Sequence, residues 1–438
     1  MQWVENRMRV LVTGAAGFIG RQITAALLDA GHGVVAAVRT GRRRTLPAGV
    51  EVVACDLARD LRPEQWVPRL RGIDAVVNCA GILRPSGCNS FDAVHHLAPV
   101  ALFKACAMAG VRRVIQISAL GDPAATRFIG SKHAADEALM GMPLEWTVIR
   151  PSVVYSMAGS YGGTSLLRAM AALPGVLLLP GGGGQKLQPV AGEDLARIVA
   201  ACLARDACCR VVLEAVGPEP VTVREYLLAW RRWLRLPAPR WEVRVPRVVV
   251  GLVARLGEWF GRGPLGMTMF TMLMQGNVGQ ARAWKELADR TGVHTRSLDA
   301  VLGVRPGFVQ DLWHARLYFL RPLLRLTLAG VWLASGIAGL LMNESVRLEA
   351  VAALGLEPTS GTRLALAASV VDMVLGALLL WDRLAVPAAW LMLGSVVVYS
   401  LVLGGLAPQL WLDPWGGLVK NAVIFVALLV FLVLAGRS

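Results

Sequence analysis

The sequence predicts a doubly wound parallel α/β sheet with a small substrate lobe, followed by a four-helix transmembrane bundle. Apolar segments of strand length alternate with helical patterns up to about residue 235, which is typical of a parallel sheet with helices on both faces. A glycine-rich turn, Thr13–Gly20, joins the first strand to the first helix. Four apolar runs follow residue 322, each about long enough to cross a hydrocarbon core of ~30 Å.

Composition places part of the chain in lipid. With 438 residues the chain is too long for one ordinary domain, and its hydrophobic share of 55% is too high for a soluble enzyme. The net charge of +15 is spread without the dense runs of a nucleic-acid-binding tail, so we expect a basic face beside anionic lipid and no nucleic-acid partner. The seven cysteines lack both metal-ligand spacing and a disulfide framework, which favours a reducing cytosol and no metal site.

The glycine-rich turn predicts a dinucleotide site. Residues 10–12 have a strand pattern and residues 21–30 a helix pattern, the arrangement that lays a pyrophosphate on a helix N-terminus. Gly14 would allow the tight turn, Gly17 the approach of the backbone to the phosphates, and Gly20 the close packing of helix on strand. The predicted phosphate-binding residues are Thr13, Gly14, Ala16, Gly17, Phe18, Ile19 and Gly20. A tight turn without a ligand is the alternative.

The second predicted strand, 33–38, ends at the position that selects the cofactor. A carboxylate there binds the ribose 2′-OH of NAD(H), whereas an arginine accepts the 2′-phosphate of NADP(H). Arg39 occupies this position, Arg42, Arg43 and Arg44 follow, and no acid occurs before residue 51. We therefore expect NADP(H) to be favoured over NAD(H), with Arg39 and Arg43 at the phosphate. A solvated arginine is the alternative.

Further elements follow in the order of a doubly wound sheet. Strands are predicted at 50–54, 75–79, 113–118, 146–149, around 188–190 and at 210–216, and helices at 91–109, 193–204 and 221–234. Asp56 and Leu57 follow the third strand, where the carboxylate either accepts from the adenine amino group or caps the next helix. Cys79, Ala80 and Gly81 form a small-residue turn after the fourth strand that would let a cofactor lie close.

This order of elements resembles an extended or atypical short-chain dehydrogenase/reductase. Thr13–Gly20 is similar to the family's TGxxGFIG, Asn78–Gly81 to its turn after the fourth strand, and Arg150–Tyr155 to its RPxxVYG segment. The resemblance covers about residues 8–235. Within the family, the chain resembles the branch around the NADPH-binding accessory subunit of respiratory complex I. It implies an NAD(P)-binding Rossmann domain, with Lys132, Pro151 and Val153 also at the cofactor.

The catalytic signature departs from that family's pattern. The family pairs a serine after the fifth strand with YxxxK, in which the tyrosine donates the proton and the lysine holds the ribose and lowers the tyrosine pKa. The resemblance implies Ser118 and Lys132 in these roles, but Phe128 stands in the tyrosine position. Because a phenyl ring has no proton to donate, the missing general acid would lower the rate by about 10²–10⁴-fold. Two functions stay open: an oxidoreductase, or a catalytically silent nucleotide-binding subunit or redox sensor.

Three nearby groups are candidates for a substitute acid: Tyr155, Tyr161 and His133. His133 points about 100° away from Lys132 on the same helix, and Tyr155 lies in a segment that more often packs than reacts. His95 and His96, on the helix after the fourth strand, are expected to be a solvated pair, because no carboxylates or cysteines lie at metal-ligand spacing.

Residues 237–316 connect a predicted domain at 1–236 to one at 317–438. The amphipathic stretch 248–260 is interpreted as part of the substrate lobe, which would close over the cofactor. A helix lying on the membrane surface is the alternative. Four methionines, Met267, Met269, Met272 and Met274, are interpreted as adaptable core, with contact to a lipid-like ligand as the alternative.

The C-terminal part is predicted to span the cytoplasmic (inner) membrane four times, at 323–342, 364–381, 387–406 and 417–435. Arginines at 316, 321, 325, 383 and 437 place both termini and the α/β head in the cytoplasm by the positive-inside rule. The short polar segment 1–8 lacks the pattern of a signal peptide. Besides the nucleotide, the expected partners are membrane lipid and either a lipid-soluble or quinone-like substrate or a membrane protein.

This C-terminal part resembles the DoxX-like family of four-helix membrane proteins, through residues 411–421 and an acid inside a span, Asp372. A carboxylate inside a span is costly unless it is paired or faces a cavity. Lys420 would reach Asp372 by snorkelling if the helices pack antiparallel. Such a pair would either fix helix register or form a proton- or quinone-linked site.

Overall fold

The computed structural model describes residues 7–39, 46–47, 49–260, 266–412 and 417–435, with the backbone alone at 259–260. The chain forms two compact units, Met1–Ala315 and Arg316–Ser438. The first unit is built on a parallel β-sheet, and the described part of the second is helical.

The sheet of the first unit has the predicted doubly wound topology. The strands of the chain are β1 (Arg9–Thr13), β2 (Gly33–Val38), β3 (Glu51–Ala54), β4 (Ala75–Asn78), β5 (Arg113–Ile117), β6 (Glu145–Pro151), β7 (Val154–Tyr155), β8 (Val176–Pro180), β9 (Lys186–Leu187), β10 (Val190–Ala191), β11 (Val211–Ala215), β12 (Val221–Thr222) and β13 (Trp241–Val245). Seven of them form a parallel sheet in the order β11-β6-β5-β4-β1-β2-β3. The chain order reverses between β1 and β4, which is where doubly wound sheets bind their ligands.

Helices cover both faces of this sheet. The described helices up to residue 303 are α1 (Phe18–Asp29), α2 (Pro63–Trp66), α3 (Ala98–Ala109), α4 (Arg127–Met140), α5 (Gly163–Ala171), α6 (Gly192–Ala204), α7 (Val223–Trp233), α8 (Arg247–Phe260), α9 (Met267–Gln275), α10 (Ala283–Thr291) and α11 (Leu298–Gly303). Successive side chains of a strand point to opposite faces. Val10 and Val12 therefore pack with α1 and α6, whereas Leu11 packs with α3 and α4.

Two predicted helices differ in detail from the sequence pattern. The helix expected at 91–109 is divided into a π-helical turn, Asp92–Leu97, and α3. The change lies beside Pro99, whose nitrogen has no proton for a helical hydrogen bond. In α7, Thr222 accepts from the amide of Glu225 and so caps the helix, while the residues before it pair as a short strand with β9.

The segment predicted as the small lobe is joined to the preceding elements of the first unit by pairing and packing. β13 pairs in parallel with β8, and α8 packs on α9 through Gly251 and Phe270. The methionines of α9 are half-buried. Leu287 of α10 belongs to the same apolar cluster as α1 and α6, so the chain returns from the lobe to the sheet before the first unit ends.

The described helices of the second unit are α12 (Val309–Leu341, which begins in the first unit), α13 (Glu344–Ala353), α14 (Pro358–Leu380), α15 (Ala385–Leu406) and α16 (Lys420–Ala435). Three of them, α12, α14 and α15, are long and apolar enough to cross a membrane. The described part of α16 has 16 residues, so the fourth span and the cytoplasmic orientation stay predictions. Residues 413–416 and Arg437, which entered those predictions, lie outside the described residues.

The helices of the second unit approach closely at small residues. A Cβ on Gly339 of α12 would lie 2.1 Å from the hydroxyl of Ser369 on α14, and one on Gly336 would lie 2.5 Å from the Ser369 carbonyl oxygen. Glycine at such contacts is typical of helix pairs in membranes, where close backbone approach supplies the packing energy.

Gly20 holds α1 against the glycine-rich turn and supplies a test of the fold. A Cβ there would lie 2.1 Å from the Gly14 carbonyl oxygen, a backbone atom that cannot move without opening the turn. We predict that Gly20→Ala lowers the free energy of unfolding by about 1–3 kcal/mol, the usual range for overpacking. Thermal unfolding of the full chain in detergent measures the change. Gly33→Ala is the control, because its Cβ would meet no atom nearer than 3.8 Å. Equal losses of unfolding free energy in the two variants would contradict the steric constraint at Gly20.

Candidate nucleotide-binding site

The glycine-rich turn brings the ends of β1 and β4 together. Gly14 has a φ of +66°, which favours glycine, and a Cβ there would lie 2.8 Å from Ala80 Cα. The Gly17 amide donates to the Gly14 carbonyl at 2.8 Å. α1 then starts at Phe18 without an acidic residue in its first turn and without a side-chain cap from the described residues. Its first backbone N–H groups are therefore available to an anion.

A row of buried polar side chains lies beneath this turn. Thr13 donates through its hydroxyl to Asn78 Oδ1, and Asn78 Nδ2 donates to Gln116 Oε1 at 2.6 Å. The three residues stand opposite one another at the carboxyl ends of β1, β4 and β5, and none is more than 1% exposed. The Thr13 hydroxyl is thus used to join strands. The sequence argument singled out Thr13 but gave Asn78 and Gln116 no part in the site.

The residues after β2 and β3 are partly open to solvent. Arg39 follows β2 directly and is exposed, whereas Arg43 lies outside the described residues. Asp56 Oδ1 accepts from the Ala58 amide at 3.1 Å and caps the turn after β3. The next helix, α2, starts at Pro63, so the alternative in which Asp56 caps a helix is wrong. Leu57 packs at the edge of the cluster around α3.

Lys132 lies beside the small-residue turn after β4. Its ammonium donates to the carbonyl oxygens of Ala80 and Ile117, each at 2.9 Å. Burial lowers the pKa of Lys132 to about 8, although the charge of Asp136 acts in the opposite direction. A Cβ on Gly81 would lie 3.3 Å from the Lys132 nitrogen, so the absence of a side chain at Gly81 lets the backbone pass close to the lysine.

Cys79 is a structural member of the same turn. Its thiol donates to the Thr13 carbonyl oxygen at 2.9 Å. Burial raises the pKa of Cys79 to about 12, against the weaker influence of the Lys132 charge. The thiol is therefore protonated at neutral pH and is a poor nucleophile.

His95 is buried, so the expectation that it is solvated is wrong. Its Nε2 accepts from the Ile82 amide at 2.9 Å, which leaves the proton on Nδ1 to be donated to the Ser131 hydroxyl at 3.0 Å. Burial, with a contribution from the Lys132 charge, lowers the pKa of His95 to about 2. His96 does lie near the surface, with Nδ1 3.1 Å from Asp92. The π-helical turn that carries His95 is a feature often found at functional sites.

Phe128, in the tyrosine position, closes an aromatic cluster over this histidine. Its ring stands edge-on to His95 with centroids 5.2 Å apart, Phe91 stacks on His95 at 5.4 Å, and the two phenylalanine rings lie edge to face 6.0 Å apart. Ser131 donates to the Phe128 carbonyl oxygen at 3.0 Å. The ring that replaces the phenol is thus fixed by packing.

Ser118 belongs to a second buried network. Its hydroxyl donates to Asp136 Oδ2 at 2.7 Å, and the same oxygen accepts from Arg150, whose Nη2 lies at 3.0 Å. Asp136 is fully buried, and this burial raises its pKa despite both partners. Since the Ser118 proton is held by a carboxylate, the structure does not present it to a substrate oxygen beside Phe128. Asp136, one helical turn after Lys132, had no part in the sequence argument.

The three candidate substitute acids are placed unfavourably. Tyr155 is fully buried in a cluster with Tyr226 and Trp230, and burial raises its pKa. His133 Nε2 lies 2.9 Å from the Ala119 carbonyl oxygen, and Tyr161 is 61% exposed. Of the other residues assigned to the cofactor, Pro151 ends β6 in a buried position and Val153 is half-buried beyond it.

The acid in the second unit is paired differently from the expectation. Asp372 of α14 is 8% exposed and accepts from the Ser335 hydroxyl of α12 at 3.2 Å. Lys420, at the start of α16, is exposed, and among the described residues no ion pair joins it to Asp372. The predicted pair is wrong: Asp372 Oδ2 accepts from Ser335, and Asp372 Oδ1 is buried without a hydrogen-bond partner among the described residues.

Comparison with known proteins identifies both units. Residues 14–206 match the NAD(P)H-binding family, and residues 329–429 match the DoxX-like family. The chain therefore carries an NAD(P)-binding Rossmann domain followed by a DoxX-like domain. The match to the first family includes the glycine-rich turn, Lys132 and Phe128.

Relatives of the first unit include proteins with different functions. The chain is 30% identical over 245 residues to the mitochondrial NADH dehydrogenase (ubiquinone) 1 alpha subcomplex subunit 9 of Arabidopsis thaliana, a match to 52% of this chain and 60% of that protein. It is 28% identical over 253 residues to the (4-alkanoyl-5-oxo-2,5-dihydrofuran-3-yl)methyl phosphate reductase of Streptomyces griseus, a match to 56% of this chain and 81% of that one. The solved structure of the Bordetella bronchiseptica enzyme WbmH in complex with NAD+ has the same fold, with a TM-score of 0.52 and 17% identity over 68% of this chain and 97% of its own.

The buried, neutral His95 predicts a pH dependence of stability. In the unfolded chain a histidine binds a proton below about pH 6.5, whereas folded His95 binds one only near pH 2. The unfolded state therefore holds more protons, and the free energy of unfolding falls with falling pH below 6.5, by up to about 1.4 kcal/mol per pH unit. His95→Gln keeps a donor and an acceptor but does not titrate, so its stability is predicted to fall less steeply between pH 6.5 and pH 5.

Denaturant unfolding of both full-length proteins in detergent measures this difference. His96→Gln is the control, because His96 lies at the surface beside Asp92. Parallel pH profiles for the wild type and His95→Gln would contradict the assignment of a neutral His95.

Proposed function

We propose that the chain is a membrane-anchored, NADP(H)-binding, oxidoreductase-like protein. The observation that carries this proposal is the combination, at one edge of the sheet, of the glycine-rich turn with its open helix N-terminus and an exposed Arg39 at the end of β2. The DoxX-like domain and the three apolar helices support an anchor in the membrane.

The residues present fit such a nucleotide. Gly14 and Gly17 leave the turn without side chains, and the first amides of α1 would hold the pyrophosphate. Arg39 would hold the 2′-phosphate. Asp56 keeps its side chain 42% exposed while it caps its turn, which leaves the carboxylate accessible to the adenine amino group. When bound, NADPH supplies a hydride.

Proton delivery is the step for which the described site is poorly equipped. Phe128 has no proton, the proton of Ser118 is held by Asp136, and Tyr155 is buried. Lys132 would hold the ribose. Because its pKa is lowered, its ammonium is also a stronger acid than that of a solvent-exposed lysine and would serve as a proton source at the turn. A lipid-soluble or quinone-like substrate suits a membrane protein whose α9 carries four half-buried methionines, side chains that adapt to apolar ligands.

A second candidate is a catalytically silent nucleotide-binding subunit or redox sensor. The aromatic cluster around Phe128 and the Ser118–Asp136 bond favour it, because they fill or occupy the positions that ketone reduction uses. The plant relative is named as a subunit of a respiratory assembly, which gives this candidate a precedent.

The choice of cofactor is tested at Arg39. Calorimetric titration of the full chain is predicted to show tighter binding of NADPH than of NADH, and Arg39→Asp to narrow or reverse the difference, because a carboxylate repels a 2′-phosphate and accepts from a 2′-OH. Arg71→Asp is the matched control. Arg71 is also exposed, but it precedes β4 and so lies at the amino ends of the strands, whereas Arg39 lies at their carboxyl ends. Equal affinities in the wild type would refute the NADP(H) assignment.

The missing acid is tested at Phe128. Phe128→Tyr places a phenol one helical turn before Lys132, on the same face of α4. If the missing hydroxyl is what limits reduction, this variant should oxidise NADPH with a small ketone or quinone, where the wild type shows almost no turnover. Anaerobic absorbance at the nicotinamide band measures it.

Phe91→Tyr is the control, because it adds a phenol to the same aromatic cluster from outside α4, at a position that is not one helical turn before Lys132. Robust turnover by the wild type that Phe128→Tyr leaves unchanged would show that another group donates the proton. In that case the silent-subunit candidate fails.

A further inference from the structure

We propose that the outer face of α8, together with the edge strand β13, is a docking surface for an anionic phospholipid bilayer. This inference rests on the proposed membrane anchor, since the same chain must hold its first unit near a bilayer. It assigns a partner to a surface that the nucleotide site does not use.

α8 turns an aliphatic stripe to solvent. Five residues form it, and their exposed fractions are 83% for Val248, 46% for Val249, 56% for Leu252, 46% for Val253 and 47% for Leu256. At 100° per residue they fall within an arc of about 140°. The opposite side of the helix is the packed side, where Ala254 is 3% exposed and Gly251 meets Phe270. A helix of this kind typically lies in the plane of a membrane interface.

β13, which directly precedes α8, also exposes apolar side chains. Trp241 is 64% exposed and Val243 is 44% exposed, and their spacing places both on one face of the strand. β13 pairs only with β8 among the described strands, so it is an edge. Tryptophan at an exposed edge is well suited to the headgroup region, where its apolar ring and its N–H group both find partners.

The charges beside this surface favour an anionic bilayer over a neutral partner. Between residues 240 and 258 the chain has four arginines (Arg240, Arg244, Arg247 and Arg255) and two acids, and all four arginines are exposed. One of the acids, Glu242, is neutralised by Arg224 at 2.6 Å. Each arginine near an anionic surface adds about 1 kcal/mol of attraction.

α8 is also hydrogen-bonded to the loop that leaves β4. Arg84 donates through Nη1 to the Gly257 carbonyl oxygen at 3.0 Å and through Nη2 to the Glu258 carbonyl oxygen. Arg84 lies three residues after Gly81, in the loop that leaves β4. A bilayer beneath α8 would therefore lie beside the loop that borders the site, which suits a substrate dissolved in lipid.

Lipid-specific quenching of a fluorophore on the full chain tests this surface. In a Cys88→Ser background, which removes an exposed thiol, an environment-sensitive probe is attached at Val248→Cys, and separately at Met108→Cys, whose native side chain is 62% exposed at the end of α3. The protein is reconstituted into vesicles of phosphatidylcholine and phosphatidylglycerol that contain a doxyl-labelled lipid. We expect strong quenching and a blue-shifted emission at position 248 and neither at position 108.

Two further substitutions distinguish contact of the stripe with the bilayer from a non-specific effect of an added surface charge. Leu252→Glu, on the aliphatic stripe, should abolish the quenching at 248. Val304→Glu, at a residue that is 66% exposed outside the stripe, should leave it unchanged. Removal of phosphatidylglycerol from the vesicles should weaken the quenching, because the arginines lose their counter-charge.

The outcomes also distinguish this inference from the proposed anchor. Flotation in a density gradient shows whether the protein is bound to the vesicles. If the protein does not float with them, the proposed membrane anchor is wrong, and the docking surface that rests on it is wrong too. If the protein floats but the probe at 248 is not quenched by the doxyl lipid, the docking surface is overturned while the anchor stands. A probe at 248 that is equally shielded in detergent and unquenched in vesicles would mean that protein covers the stripe, which also overturns the inference.

Discussion

The close contact between the glycine-rich turn and the start of β4 is the constraint on which the first unit depends. Gly14 can meet Ala80, and Gly20 can meet the Gly14 carbonyl, only because neither glycine has a side chain. This contact sets the separation of β1, β4 and α1, and with it the crevice where the sheet order reverses. The polar row from Thr13 to Gln116 then fixes the floor of that crevice.

Below this turn, packing explains why a phenyl ring fits at position 128. An aromatic ring at Phe128 fits a neighbourhood of two aromatic rings, where His95 is neutral and already satisfied by Ile82 and Ser131. A phenol there would need a polar partner, whereas the phenyl ring needs only contact. The loss of the hydroxyl therefore leaves the packing of α4 intact, and Lys132 stays in place through its two carbonyl partners.

The sheet strands and the glycine-rich turn could be predicted because their signals are local. Strand periodicity and glycine spacing are patterns within short continuous segments, as in Val10–Val12 and Gly14–Gly20. The roles of His95, Ser118 and Asp372 could not be predicted, because each depends on a partner from a distant part of the chain: Ile82 and Ser131, Asp136, and Ser335. The sequence around a histidine does not show whether its side chain is solvated or buried, because burial depends on the folded structure.

The burial of Lys132 has a consequence for the lifetime of the protein. Holding its ammonium away from water, with a pKa near 8 instead of 10.5, lowers stability by on the order of 3 kcal/mol at neutral pH. A nucleotide that binds only the folded form offsets such a deficit, by about 2.7 kcal/mol at a hundred times its dissociation constant. A bound nucleotide would therefore reduce the fraction of molecules that unfold and become exposed to cellular proteases.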